Sequence, residues 1–600
     1  MNSLRTTHPT IHRQSGAVFI VMLVILIMGV TFFLVSSLSK VTLQTARNEQ
    51  SADLLAQAKD VIVGYMLSGA GGIPPGWMMA PDVLDRPMST ERLPDGVTQG
   101  SNYDGMTEAG CFNINNSANT PPYTPLTATA SNMRCLGRLP WKSLGMSISA
   151  PSENDPLGVM PWYAFSSNLM NASLPINSEL LNVTSNWLTV RDMNGNVLSN
   201  RVAFLIIIPG PPLQGQARPS SPSLGAPSQY LDSITVPNPC TATPCVSGTY
   251  SNFNLASHDP FTSGFIMGAE QRWIDDPANP GKQIADPNYN FNDKLLYVTI
   301  DELIPLIEKR MAREVKNCLD DYAAAPGNTN HKYPWAALVS DNSTPLNRPG
   351  THDVRFGRLP EIANTSTTSG STPPTGPLLI LINTVQTALT AYLNAPSAAT
   401  MIALRLAGDA LKDYTPTDPA HTAGTIADNC TLASCDTALL QSKINEALGG
   451  GTPDATMPAN WSTVASCNTL FNTSYWPDWR DLVFYQVAGG FQPGPGGGGA
   501  CVSCLNITGS GNPVPGNSAY HAAVIIAGKM LLGQSSRPAT NNPATNIYYE
   551  NNYLEVSNDH QSQAGFAPDV NFTTYKPSDT SNYSTVNDLV LCVDGKINCK

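Results

Sequence analysis

The chain has 600 residues, 12 cysteines, 13% charged residues and a formal net charge of −12. The charged share is about half that of an ordinary soluble domain, and so acidic a chain has no basic face to neutralise phosphates, which excludes nucleic acid as a partner. At this length two or more domains are expected.

The first segment, Met1 to Gly16, is polar, carries Arg5 and Arg13, and has no acid. An uncharged apolar block follows, Ala17 to Leu38, 22 residues long. A bilayer core of about 30 Å needs roughly 20 such residues in a helix. A cleavable secretory core is shorter, about 7–15 residues. The block is therefore expected to be a membrane span, and the basic leader favours a cytoplasmic N-terminus. These features predict a single-pass protein of the bacterial inner membrane, its body in the periplasm or, after assembly, at the cell surface. Beyond Ser39 the polarity rises, yet Leu54, Ala58, Val61, Ile62 and Tyr65 recur at helical spacing. One helix is predicted from Ala17 to Leu67, roughly 75 Å long.

A short basic leader ending in glycine, an apolar block and an amphipathic helix leading into a polar body resemble the type IV prepilins and pseudopilins. The resemblance covers about a tenth of the chain, Arg13 to Leu67. It implies cleavage after Gly16 by a prepilin peptidase and methylation of Ala17 as the mature N-terminus. Two positions depart from the family pattern: Ala17 stands where Phe is usual, and Val21 where the fifth mature residue is usually Glu. That Glu is thought to pair with a neighbouring subunit, so its absence resembles the minor members that cap a filament, the large K-type pseudopilins and X-type minor pilins. The implied partners are other minor pilins or pseudopilins through the N-terminal helix, the peptidase and the inner membrane. The alternative is a plain uncleaved anchor.

The cysteines fall mostly in close pairs: Cys240 and Cys245, Cys430 and Cys435, Cys501 and Cys504, Cys592 and Cys599. Cys111 and Cys135 lie further apart, and Cys318 and Cys467 are left over. An oxidising compartment makes disulfides the expectation, with the pairing open. A redox role for Cys501 and Cys504 needs a helix N-terminus; their flanks, GPGGGGA and NITGSGN, are loop sequences.

The body repeats itself. VAFLIIIPGPPLQGQARPS, Val202 to Ser220, is echoed by AAVIIAGKMLLGQSSRPAT, Ala522 to Thr540. Tyr230-Leu231 is echoed by Tyr553-Leu554, and the Asn-Asp step of FNDKLLYVT from Phe291 by that of VNDLVLCVD from Val586. GRLPWKSLG at Gly137 is echoed by GRLPEIA at Gly357, and WYAFS at Trp162 by DLVFYQVA at Asp481. The order is the same in both halves, which argues for internal duplication. The second half opens on its own amphipathic helix, with Ile300, Ile304, Ile307, Met311, Val315, Cys318 and Tyr322 on one stripe. Thr299 with Glu302 fits a capping box, and Pro305 marks a kink or the first turn. The echoed residues read as core and turn.

The predicted fold is α+β: a transmembrane-plus-stalk helix followed by two tandem pilin-like modules, each a helix on an antiparallel sheet. The predicted segments are a leader (1–16), the long helix (17–67), a first head (68–298) and a second head (299–600). A helical insert is expected at about 377–450, behind the linker Asn364 to Gly376. No nucleophile elbow, zinc-protease helix or phosphate loop appears, and no enzyme, cofactor or metal is expected. The acid-rich stretch Asp275 to Asp293 lacks the fixed calcium-loop order. The predicted function is a minor pilin or pseudopilin at the tip or initiation complex of a type IV pilus or type II secretion filament. Its head would serve adhesion, with a surface ligand, or assembly. The competing readings are an uncleaved, membrane-anchored surface adhesin and an anchored periplasmic enzyme.

Overall fold

The computed structural model describes residues 15–68, 74–82, 135–146, 160–169, 175–236 in large part, 248–253, 264–268, 273–275, 283–285, 291–337, 339, 355–365, 377–494 apart from short gaps, 504–508, 520–537 and 552–558 in part, 571–574 and 586–594. In chain order, α1 (Ser15–Ser68) precedes β1 (Cys135–Arg138), β2 (Trp162–Phe165), β3 (Leu188–Arg191), β4 (Val197–Ile208), β5 (Ser233–Val236), β6 (Gly248–Ser251), β7 (Phe265–Ile266), β8 (Trp273–Asp275), β9 (Gln283–Ala285) and β10 (Lys294–Thr299). Then come α2 (Ile300–Ala323), β11 (Phe356–Arg358), α3 (Pro377–Asn394), α4 (Ala398–Tyr414), α5 (Ala420–Asp428), α6 (Thr437–Gly449), α7 (Ala465–Phe471), α8 (Trp476–Trp479), β12 (Val483–Val487), β13 (Asn506–Thr508), β14 (Ala522–Ile526), β15 (Asn571–Thr573) and β16 (Leu589–Val593).

The architecture is mixed helix and strand, and it corrects the expected fold class and localisation. Among the described residues no helix is long and apolar enough to cross a membrane. In the block Ala17 to Leu38 the described side chains are Met22–Val24 and Leu26–Met28, all exposed. The transmembrane part of the predicted fold and the single-pass inner-membrane placement are therefore withdrawn. Of the expected leader, residues 1–14 lie outside the described residues, while Ser15 and Gly16 are already helical.

The two sheets repeat one plan. In the first, antiparallel pairs join β1 to β2, β2 to β4 and β4 to β10. In the second, antiparallel pairs join β11 to β12, β12 to β14 and β14 to β16. Register matches across the copies: Gly137, Tyr163, Ile206 and Leu296 form one row, and Gly357, Tyr485, Val524 and Leu591 form the other. The first sheet is not purely antiparallel, because β3 adds to β4 and then takes β7 in parallel. Small pairs complete the strands: β5 with β6, β8 with β9, and β13 with β15.

Strand alternation explains the apolar runs. Tyr163, Phe165, Phe204 and Ile206 enter the main core, while Trp162, Ala164, Leu205 and Ile207 pack on the other face with Tyr230 and Leu231. With both faces covered, β4 has no need of polar residues along its second half.

The helix α2 follows β10 without a break, so a division at 298/299 cuts a continuous strand–helix unit. It packs against β4 and β10 of the first sheet and also against β14 and β16 of the second. Its buried face, Ile300, Leu303, Ile304, Ile307, Met311, Val315, Cys318 and Leu319, lies in one hydrophobic cluster with the last turns of α1. Thr299 Oγ accepts from the Glu302 backbone N–H at 3.3 Å, and Glu302 turns back to the Thr299 hydroxyl at 3.2 Å. Only the first half of a capping box is thereby made. Pro305 lies inside the helix, in its second turn.

The stretch 377–449 forms a four-helix unit, α3 to α6, with its own core of Ile382, Val385, Leu389, Leu404, Leu411 and Ile444. Gly408 and Gly424 let α4 and α5 touch, since a Cβ on either would meet backbone of the other helix at 2.6 Å. The disulfide Cys430–Cys435 closes the turn after α5.

Candidate functional site

The echoed residues converge on one polar arrangement, built twice. In the first half, Arg218 Nη2 donates to the carbonyl oxygens of Gly210 (2.6 Å) and Tyr230 (3.3 Å). In the second, Arg537 donates to Gly528 O (2.6 Å), Tyr553 O (3.0 Å) and Asn552 O (2.6 Å). Gln216 Nε2 donates to Leu231 O at 3.2 Å and to Asp232 Oδ1 at 2.9 Å, and Gln534 Nε2 to Leu554 O at 3.5 Å and to Glu555 Oε1 at 2.9 Å. Each glutamine also accepts from the backbone three residues upstream, Leu213 and Leu531.

Two carboxylates then clasp each other's backbone. Asp293 Oδ2 accepts from Asp232 N (2.7 Å), while Asp232 Oδ2 accepts from Asn292 N (2.7 Å). In the second half Asp588 Oδ2 accepts from Glu555 N (3.1 Å), and Glu555 Oε2 accepts from Asn587 N (3.1 Å). An asparagine completes each clasp: Asn252 Nδ2 donates to Asp293 and Asn558 Nδ2 to Asp588, both at 3.0 Å. Their Oδ1 atoms accept from Ile266 N and Thr573 N. Gly210 and Gly528 are required by proximity, since a Cβ on either would lie 2.4 Å from Asn292 or Asn587. A tyrosine lies between two guanidinium groups in each copy, Tyr230 between Arg138 and Arg218, and Tyr553 between Arg358 and Arg537.

Burial sets the electrostatics. It pushes Asp293 well above the ordinary carboxyl range, and the neighbouring Asp232 pushes it further. Asp232 is raised by the same loss of solvent, against hydrogen bonds that favour its charge. In the second copy burial lifts Glu555 to about 9, helped by Asp588, and Asp588 to about 6. Two buried acids side by side cannot both ionise cheaply, so each clasp titrates as a unit.

The second copy makes further contacts. Arg537 Nη1 also takes Glu179 Oε1 at 3.0 Å. Glu179 stands in the short turn Ser178–Asn182 of the first half, whose cap is Asn177. Around it the halves are sewn together: Ser178 Oγ donates to Glu308 on α2 (2.8 Å), Asn177 Nδ2 to Asp478 O (2.6 Å), and Arg310 on α2 to Met66 O on α1 (3.1 Å). Burial lifts Glu308 to about 7, opposed by the Ser178 hydroxyl.

Of the residues expected from sequence to matter, Gly16 and Ala17 lie in α1. Cys430 and Cys435 are bonded to each other, and Cys504 and Cys592 are disulfide-bonded. Cys135 begins β1, while Cys111, Cys240, Cys245, Cys501 and Cys599 lie outside the described residues. The leftover pair is joined: Cys318–Cys467 ties α2 to α7. Most of Asp275 to Asp293 is outside the described residues. Among those described, no three His, Cys, Asp or Glu gather as a metal-binding group. Trp461, Trp476 and Trp479 are buried. Sequence reading missed Asp232, Glu555, Asn252 and Asn558. A visible signal was the acid directly after each Tyr-Leu pair.

Comparison with protein-family models, with characterised proteins and with solved structures finds no match.

Proposed function

We propose that this chain is a minor pilin- or pseudopilin-like component of the tip or initiation complex of a type IV pilus or type II secretion filament, its body serving adhesion or assembly. One observation carries this reading. The 54-residue helix α1 buries Leu55, Ala58, Ile62 and Met66 in the body, yet at its other end shows apolar side chains at consecutive positions, Met22 to Val24 and Leu26 to Met28. Consecutive positions point around the whole helix, and a helix apolar on all sides is built to be surrounded. The stems of other filament subunits supply such surroundings. The disulfides Cys318–Cys467 and Cys430–Cys435 fit folding in an oxidising compartment. Asp232, Asp293, Glu555 and Asp588, raised by burial, are tied into the two clasps, so the body is read as a binding and assembly element and not as a catalyst. Val21, where the family has Glu, argues for a terminal place and not for the repeating subunit.

The test is mass spectrometry of the mature N-terminus, in cells with and without prepilin peptidase. The expected result is a methylated Ala17, lost with the peptidase. An intact Met1 in both strains overturns the reading, as does recovery of this chain along the whole length of purified filaments.

A further inference from the structure

We propose that the turn Ser178–Asn182 is a pH-operated strap across the seam, latched onto α2 while the Glu308 carboxyl holds its proton and released when that carboxyl ionises. The two ends of the strap are fastened differently. Its trailing end is tied to the first sheet: Arg201 of β4 donates to Leu181 O (3.0 Å) and Val183 O (3.1 Å), and its guanidinium pairs with Asp301 at the start of α2. Its leading end crosses to the second half, where Asn177 donates to Asp478 O, Glu179 meets Arg537, and Ser178 donates to Glu308. Leu180 and Leu181, between the two ends, are buried. Releasing the leading end leaves the trailing end anchored, so the strap can lift without unfolding either sheet.

The weak link is Glu308. It is buried, the Ser178 hydroxyl is its one hydrogen-bond partner among the described residues, and no cation among them forms an ion pair with it. The other buried acid of α2, Asp320, is held by Lys316 at 2.6 Å. The charged groups that face Glu308 are Asp588, from the corner before β16, and Arg537, from the loop after β14; among the described residues no charge on α1, α7, β4 or β10 bears on it. Burial raises it, the Ser178 hydroxyl opposes the rise, Asp588 adds to it and Arg537 opposes it; burial prevails, and ionisation falls at about 7. An unpaired carboxylate is expensive to keep buried, and lifting the strap admits water to it. With the value raised, the latch is fully made below the ordinary 4.5 and is lost as pH rises through about 7. The acid is particular to this seam. Leu55, Ala58, Ile62 and Met66 of α1 match Ala312, Val315, Leu319 and Ala323 of α2, all buried at a constant offset, and the same offset sets Ser51 of α1 where α2 has Glu308. The inference does not depend on the filament reading.

Hydrogen–deuterium exchange of the full chain, read at each pH as protection relative to the unfolded chain, tests this. The strap amides of Leu180 and Val183, which bond to Asn177 O and Leu180 O, are expected to open about tenfold or more often at pH 8 than at pH 5, while α3 to α6, which have their own core, change far less. Glu308→Gln keeps an acceptor for Ser178 without the charge and should leave the strap equally protected at both pH values. Ser178→Ala removes a hydrogen bond that favours the ion, so it should move the release to higher pH, a shift that loss of packing alone would not produce. No pH response in the strap of the parent chain, the same response in Glu308→Gln, a release that does not move in Ser178→Ala, or an equal loss of protection in α3 to α6 would each overturn the proposal.

Discussion

A Cβ built on Gly357 would lie 2.0 Å from the carbonyl oxygen of Ala337, which is backbone bridged to Arg358 and has no rotamer to change. Gly357→Ala should therefore cost about 3 kcal/mol, by breaking that bridge. Gly64 is the opposite case: it sits in α1, and a methyl added there would meet nothing within 4 Å. Gly64→Ala should stabilise by about 0.5–1 kcal/mol through helix propensity alone. Urea unfolding of the two variants checks both signs. A gain at Gly357 would show that the bridge is dispensable. At this scale the sequence displayed the glycines, arginines and tyrosines of both clasps as echoes, but not their use. Turn and core residues look alike in a sequence, and Asn252 lies 21 residues beyond Leu231 while Asn558 lies 4 beyond Leu554, so no shared spacing links them without the fold.

The helix α2 was legible as an element, because its stripe keeps a clean 3.6-residue period from Ile300 to Tyr322. Its place between two sheets was not, since a buried stripe does not say how many surfaces bury it. The bond Cys318–Cys467 was equally hidden, being set by how α7 packs on α2 and not by spacing. It closes 149 residues of chain, for which loop entropy gives about 5 kcal/mol; Cys430–Cys435 closes 5, for about 2 kcal/mol. Replacing Cys318 and Cys467 by Ala should thus lower the unfolding midpoint clearly more than replacing Cys430 and Cys435, which sit in a unit with its own core. Equal losses in calorimetry would contradict this order.

The molecule as a whole should resist unfolding better at pH 5 than at pH 8. Glu308, Asp588, Glu555 and Asp293 are all raised by burial, so the folded chain holds protons that the unfolded chain has released. Stability then falls as pH rises from about 4.5 through 9. His521 works against this, since burial lowers it to about 4 and its contribution is lost as pH falls below its ordinary value near 6.5. Four carboxyls outweigh one imidazole. Asp454 sets the acid limit: burial raises it, but Lys332, Thr456 and Gly494 together hold it at about 2, so its contribution fades only as pH drops from 3.8 through that value. Urea midpoints across this range check the slope, and a rising midpoint toward pH 8 would refute it. The repeated strand order was foreshadowed by the repeated sequence. The seam between the copies was not, because Asn177, Ser178, Glu179 and Glu308 belong to no echo.

The continuity of α1 has a mechanical meaning. Among the described residues its last turns grip the body, and no break separates them from Ser15. A helix turns about 100° and advances about 1.5 Å per residue. One residue added between Met28 and Asn48 would swing the whole body about 100° around the rod while moving it hardly at all along it. The length of the rod is thus a setting of azimuth, and whatever grips its far end decides which way the body faces.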